Sequence, residues 1–162
     1  MTTTAPHPDA QALLRDLALL LPDIDAIDPA SGMDAAAELE RRQPFDGELV
    51  RAIRARCEKG LADGWLAPRA AGPKVKFGRL EKDLGGYAID CVWMDNGAGM
   101  GHTHTKGEIN MCFAWGGEPR FDGHPPGWVV FAPGSHHVPT VTGGTMLFLY
   151  FTPEGAVVWD KQ

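Results

Sequence analysis

At 162 residues with 44% hydrophobic side chains, the chain can bury a core of its own, and one compact unit is the expectation. A net charge of -6 and a sequence pI near 5.4, with Lys and Arg scattered rather than clustered, exclude a nucleic-acid partner and point to small molecules or proteins. Cys57, Cys91 and Cys112 lack a C-x-x-C spacing, which argues against a disulfide framework or a zinc ribbon and for a reducing cytoplasm. In chain order, the first ten residues, MTTTAPHPDA, lack the charged stretch and apolar run of an export leader. From Asp9 to about Leu66 apolar residues recur at helical spacing, first as Leu13, Leu14, Leu17, Leu20 and Leu21, then as Leu49, Ile53, Cys57 and Leu61, which predicts two or three helices. Pro8 and Asp9 are start signals, Pro22 ends the first helix or lies just beyond it, and Asp46 is the expected N-cap of a helix over 47–63. The alanine-rich MDAAAELERR at 33–42 predicts a further, shorter helix. Past Trp65 the passage APRAAGP reads as a linker, so a helical segment over 1–66 is expected to precede a β-rich part over 67–162. There, clusters of glycine and proline separate the runs VKFGRL, YAIDCVWM, EINMCFAW, WVVFA, HHVPTV, TMLFLYF and AVVWD. Such short, closely spaced strands predict a sandwich or barrel with the helices packed outside it, an α+β arrangement, and no run is long enough to cross a membrane.

The stretch GHTHTKGEIN at 101–110 carries the chemistry. As one strand it puts His102, His104, Lys106, Glu108, Asn110 and Cys112 on one face, with Ile109, Met111, Phe113 and Trp115 on the other. Two imidazoles and a carboxylate on a shared face supply the neutral nitrogen and hard oxygen that divalent metals take. The competing reading is a polar strand with surface histidines. In GWVVFAPGSHHVP, at 127–139, an apolar strand reaches a Pro-Gly turn and a second strand opens with His136 and His137, so a further imidazole is available.

Together, H-x-H-x3-E and the later G-x5-P-G-S-x-H resemble the two metal-binding motifs of the cupin superfamily. The resemblance implies a small jelly-roll barrel with the motifs on neighbouring strands. It also implies a divalent metal ion (iron, manganese, zinc, nickel or cobalt) on His102, His104, Glu108 and one histidine of the second motif. Pro133 and Gly134 are adjacent here, a departure from the common P-x-G-x-x-H form; counting from Gly134 puts His137 in the ligand position, and strand parity turns His136 to the other face. The passages FGRLEKDLGGYAIDCVWMDNGAGMGHTHTKGEINMCFAW and FDGHPPGWVVFAPGSHHVPTVTGG, with the helical segment before them, are similar to the small cupin-like family that contains 4-hydroxylaminobenzoate lyase. That likeness implies a metal-dependent lyase of nitroarene breakdown, converting 4-hydroxylaminobenzoate to 3,4-dihydroxybenzoate (protocatechuate) and ammonia. A homodimer is a further expectation of the cupin likeness.

A benzoate carboxylate needs a cationic partner. Arg79 is the first choice for its planar guanidinium, and Lys106 the second, although Lys106 precedes Gly107, where the chain can bend; Lys76 and Arg120 are further choices. Glu108 serves as a ligand or, unligated, as an acid or base, and His124 in the turn DGHPPG either reaches over the barrel mouth as a catalytic group or is simply exposed. Trp115, with Trp93 and Tyr87, either stacks on an aromatic substrate or packs in the core. Two other functions share this ligand set: a dioxygenase with open coordination positions, and a metal- or ligand-sensing cupin that docks a partner through an exposed apolar stripe on 9–21.

Overall fold

The structure, a computed structural model, describes residues 7–161; residues 1–6 of the expected helical segment, part of the stretch read for a leader, and Gln162 lie outside them. The helices come first. They are α1 (Pro8–Ala18), α2 (Leu21–Ala26), α3 (Met33–Arg42) and α4 (Glu48–Asp63), with a 3-10 turn at Pro29–Ser31. His7 caps α1 by accepting the Asp9 amide at 3.1 Å, and Pro8 sits in the first turn, where a missing N–H is harmless. Pro22 lies beyond α1 but does not act as a stop, because it falls in the first turn of α2 and helps to open that helix. The residue capping α4 is Gly47, not Asp46, and no side chain bonds there. Gly64 closes α4 in the left-handed region at φ 84°, a conformation that only glycine adopts without cost.

Among the described residues nine strands follow: β1 (Arg69–Ala70), β2 (Val75–Leu84), β3 (Tyr87–Asp95), β4 (His102–His104), β5 (Glu108–Phe121), β6 (Gly127–Phe131), β7 (Ser135–His137), β8 (Val141–Pro153) and β9 (Val158–Trp159). They form a six-stranded antiparallel sheet in the order β1-β2-β3-β8-β5-β6 and a three-stranded sheet in the order β7-β4-β9. The architecture is α+β, with helices on the outside of a small two-sheet jelly roll rather than a fully closed barrel. Two expected strands divide. HHVPTV is split between β7 and the start of β8, and GHTHTKGEIN is split between β4 and β5, because in both places the chain passes from one sheet to the other. The linker-like APRAAGP supplies the edge strand β1.

The six-stranded sheet has two faces with different duties. Its outer face carries Ile89, Cys91, Ile109, Met111, Phe113, Leu147, Leu149 and Phe151 against Leu13, Leu17, Leu20, Leu39 and Ile53 of the helices. Its inner face carries Met94, Cys112, Val129, Met146 and Phe148, joined by Phe121 and Val141. Strand alternation alone separates these sets, since neighbouring residues point to opposite faces. Among the described residues no helix is long and apolar enough to cross a membrane.

Candidate metal centre

The turn between β4 and β5 creates the site. Gly107 adopts φ 86°, and the His104 carbonyl accepts both the Gly107 amide at 3.3 Å and the Gly134 amide at 2.7 Å. One carbonyl thereby ties together the turns that precede Glu108 and Ser135. In the three-stranded sheet His102 pairs with His137, His104 with Ser135 and Thr103 with His136. His102, His104 and His137 therefore share a face, while His136 points away and meets Asp160 at 2.8 Å. Glu108, the first residue of β5, enters from the opposing sheet.

The four side chains converge. The Nε2 atoms of His102, His104 and His137 lie 3.0, 3.1 and 3.2 Å apart, and the Glu108 carboxylate touches His104 Nε2 and comes within 4.0 Å of His137 Nε2. One donor atom from each residue falls within 4.8 Å of all the others. His102 Nδ1 donates to the Met100 carbonyl at 2.8 Å and His137 Nδ1 to Asp122 Oδ2 at 2.5 Å, which leaves each Nε2 with its lone pair facing inward. Burial, aided by the neighbouring imidazoles, pulls the His102 pKa below its ordinary value and favours the neutral ring. Among the described residues Glu108 Oε2 is buried without a hydrogen-bond partner, and so is His104 Nδ1. Two inward lone pairs, the His104 Nε2 and a Glu108 oxygen without a hydrogen-bond partner crowd around one point, and a cation between them relieves that crowding, so the donor set fits a divalent metal ion.

The surroundings hold the rings in place. Phe131 packs 4.4 Å from His137 and is stacked 6.1 Å from His104, Phe121 lies 5.9 Å from His137, and Trp159 covers His102 at 4.7 Å. Asp122 adopts φ 47°, uncommon for a residue with a side chain; its Oδ2 takes His137 and its Oδ1 accepts the Thr140 amide at 2.9 Å. Asp122 escaped the sequence reading. Its position before Gly123 signals a turn, but its partner lies 15 residues further on.

The other sequence-predicted residues divide. Arg79 pairs across the strands with Asp90, and Asp90 with Tyr150, which in turn pairs with Asn110; this row runs along the inner face towards Glu108. Its guanidinium is committed to Asp90, with Nε at 3.0 Å and Nη2 at 3.3 Å. Burial raises the Asp90 pKa against the opposing pull of Arg79. Lys106 sits exposed in the β4–β5 turn and forms an ion pair with Glu154; it does not join the inner face, because the strand it was expected to share ends at His104. Trp115 lies on the helix-facing side, with the Arg54 guanidinium 4.5 Å over its ring, and is not brought to the histidines. Trp93 lies under Lys76 at 4.9 Å and Tyr87 donates to Asp25 at 2.8 Å, also on the helix side. Arg120 donates to the Gly123 carbonyl at 3.1 Å. His124 is half-buried in the β5–β6 turn, its ring 6.5 Å from Phe131 and so one aromatic ring removed from the cluster.

The profile of the 4-hydroxylaminobenzoate lyase family matches residues 20–159. The chain belongs to this family. A 4-hydroxylaminobenzoate lyase of Nocardioides sp. (strain LMS-CY) is 30% identical over 124 residues, covering 70% of this chain and 73% of that protein. The namesake lyase of Pseudomonas putida is 29% identical over 138 residues, covering 72% and 77%. Among solved structures, an RmlC-like cupin protein of Ralstonia eutropha JMP134 is 15% identical, with a TM-score of 0.46 over 60% of this chain and 66% of that one. Within the lyase family frame, the histidine and glutamate cluster lies inside the matched span.

Proposed function

We propose that this chain is a metal-dependent lyase that converts 4-hydroxylaminobenzoate and one water to 3,4-dihydroxybenzoate and ammonia. The observation that carries the reading is the convergence of His102, His104, His137 and the unpaired Glu108 oxygen in a member of this family. The reaction replaces the ring nitrogen by oxygen, adds a ring hydroxyl beside it and loses the N–O oxygen, with no net oxidation, so no oxidant or external reductant is needed. His102, His104, His137 and Glu108 would hold a divalent ion, which would supply Lewis acidity and, near neutral pH, a source of hydroxide.

The protein's own groups do the remaining work. Asp122 and the Met100 carbonyl keep the Nδ1 protons of His137 and His102, so both Nε2 atoms stay available. Phe121 and Phe131 keep bulk water from the cluster and strengthen every polar contact there. Arg79, at the far end of the inner row, receives the carboxylate through the Nη1 that Asp90 leaves free among the described residues, with Asp90 holding the guanidinium by its other two nitrogens. His124, next to Phe131, stands as a proton carrier at the mouth. Leu13, Leu17 and Leu20 are fully buried against the sheet, so the apolar stripe a partner-docking sensor would expose is used inside the fold.

The test is anaerobic turnover by protein of known metal content. Release of ammonia and 3,4-dihydroxybenzoate in equal amounts, lost on chelation and restored by a divalent ion, is the expected result; product formation only with oxygen consumed makes the protein a dioxygenase instead.

A further inference from the structure

On the helix side of the six-stranded sheet, across it from Glu108, lies a cleft that the proposed reaction does not use. It has a volume of about 200 Å³ and opens between α4 and β5. Val50 and Phe113, both buried, form its apolar floor, with Phe45 and Pro126 beside them. Phe45 is fixed before any ligand arrives: its ring stacks on Phe113 at 4.9 Å, Trp128 meets it edge-on at 5.9 Å, and its amide donates to the Glu40 carboxylate at 3.1 Å. Trp128 Nε1 in turn donates to the Gln43 carbonyl at 2.9 Å, which ties the α3–α4 loop to β6. An apolar cavity of about 150 Å³ is enough for benzene, so this cleft has room for a single substituted ring.

The charged side chains that line the cleft are both guanidiniums. Arg51 and Arg54 stand three residues apart on α4 and so share a helix face. Arg54 is engaged: its Nε lies 3.3 Å from the Glu58 carboxylate and its guanidinium sits 4.5 Å over the Trp115 ring. Arg51 is exposed and, among the described residues, its side chain has no hydrogen bond, ion pair or ring contact. A guanidinium left without a carboxylate beside a floor of apolar and aromatic side chains, in a chain of net charge -6, is placed to take an anion that brings an apolar body with it. We propose that this cleft is a second binding site, separate from the metal centre, for a small aromatic monocarboxylate, with the ring against Phe45 and Phe113 and the carboxylate on Arg51. An acid of this class joins one flat apolar ring to one planar anion, which is what the two parts of the cleft ask for. A small anion without a ring would leave the apolar floor wet, and a neutral arene would leave Arg51 unpaired.

The test titrates the isotope-labelled full chain, with zinc added, with benzoate, benzamide and acetate, and follows backbone amide shifts by NMR. Benzoate should move the amides of Phe45, Arg51, Phe113 and Ala114 in a saturable way. Benzamide, which lacks the charge, and acetate, which lacks the ring, should each bind there more weakly by about tenfold or more. Arg51→Ala should weaken benzoate at these amides by about tenfold or more; the side chain it removes is exposed and makes no contact that the fold needs. Benzoate that leaves these amides unmoved, or that binds Arg51→Ala as tightly as wild type, overturns the proposal. Acetate or benzamide equal to benzoate does so too, since the cleft would then read only a charge or only a ring. The amides of His102, His104 and Glu108 report the metal centre in the same spectra, so failure of this site is told apart from failure of the lyase reading.

Discussion

His137 shows how much a single residue's orientation settles. Its Nδ1 is taken by Asp122 and its Nε2 faces the cluster, while His136, one residue earlier, is spent on Asp160 at the surface. We expect His102→Ala, His104→Ala and His137→Ala each to lose most bound metal, and His136→Ala to retain it, with metal-to-protein ratios as the readout; metal lost from His136→Ala would reverse the choice between the two. Asp122→Ala should weaken metal binding by about 10–100-fold without touching a ligand, measured by competition with a chelator. Arg79 lies at the other end of the row, and its substitution asks a different question. Arg79→Ala should raise KM for 4-hydroxylaminobenzoate by about tenfold, the loss of a charge-assisted bond worth about 1.5–3 kcal/mol. The uncharged methyl ester should be far less affected; an equal effect on acid and ester would mean that Arg79 serves only Asp90.

At the scale of elements, the β4–β5 turn is the critical joint. A Cβ on Gly107 would meet the Phe131 carbonyl at 2.9 Å and Pro29 Cβ at 3.0 Å, at a φ of 86° that side chains rarely adopt. Gly134 shares the left-handed backbone, at φ 84°, but faces open space. Gly134→Ala should therefore cost only the backbone strain, about 1–2 kcal/mol, whereas Gly107→Ala should cost more and lower metal content as well, because Glu108 moves with the turn. Urea denaturation with metal analysis on both variants checks the contrast. The same joint explains why Lys106 is at the surface: it belongs to the turn, and the alternation that would carry it inward stops at His104.

At the scale of the molecule, the six-stranded sheet is shared by two apolar clusters, one with the helices and one beside the histidine and glutamate cluster. Leu17, fully buried between α1 and the rest, should cost about 2–5 kcal/mol on substitution by Ala, read from the same denaturation curves. The three cysteines offer a probe of cooperativity. All are buried; desolvation pushes the Cys57 pKa up to about 12 and those of Cys91 and Cys112 well above the ordinary thiol value. Thiol reagents should thus label none of them in the native state, and labelling should rise together with loss of secondary structure; early labelling of Cys57 alone would show the helices opening separately from the sheets.

Local patterns in the chain were enough for the helices over 33–42 and 47–63, for the two faces of β5 that put Trp115 opposite Glu108, and for the parity that separates His137 from His136. These follow from periods of 3.6 and 2, which neighbouring residues impose on one another. The motif also pointed to four side chains that do meet, but for a reason alternation did not contain: His104 and Glu108 stand on strands of opposing sheets, not on one strand. Where a strand ends and which sheet takes it up depend on partners far along the chain, such as the Gly134 amide on the His104 carbonyl. The same holds for Asp122 against His137 and for the Arg79 guanidinium drawn to Asp90. Hydrogen-bond partners at a distance are chosen by packing, and only the tertiary structure decided them.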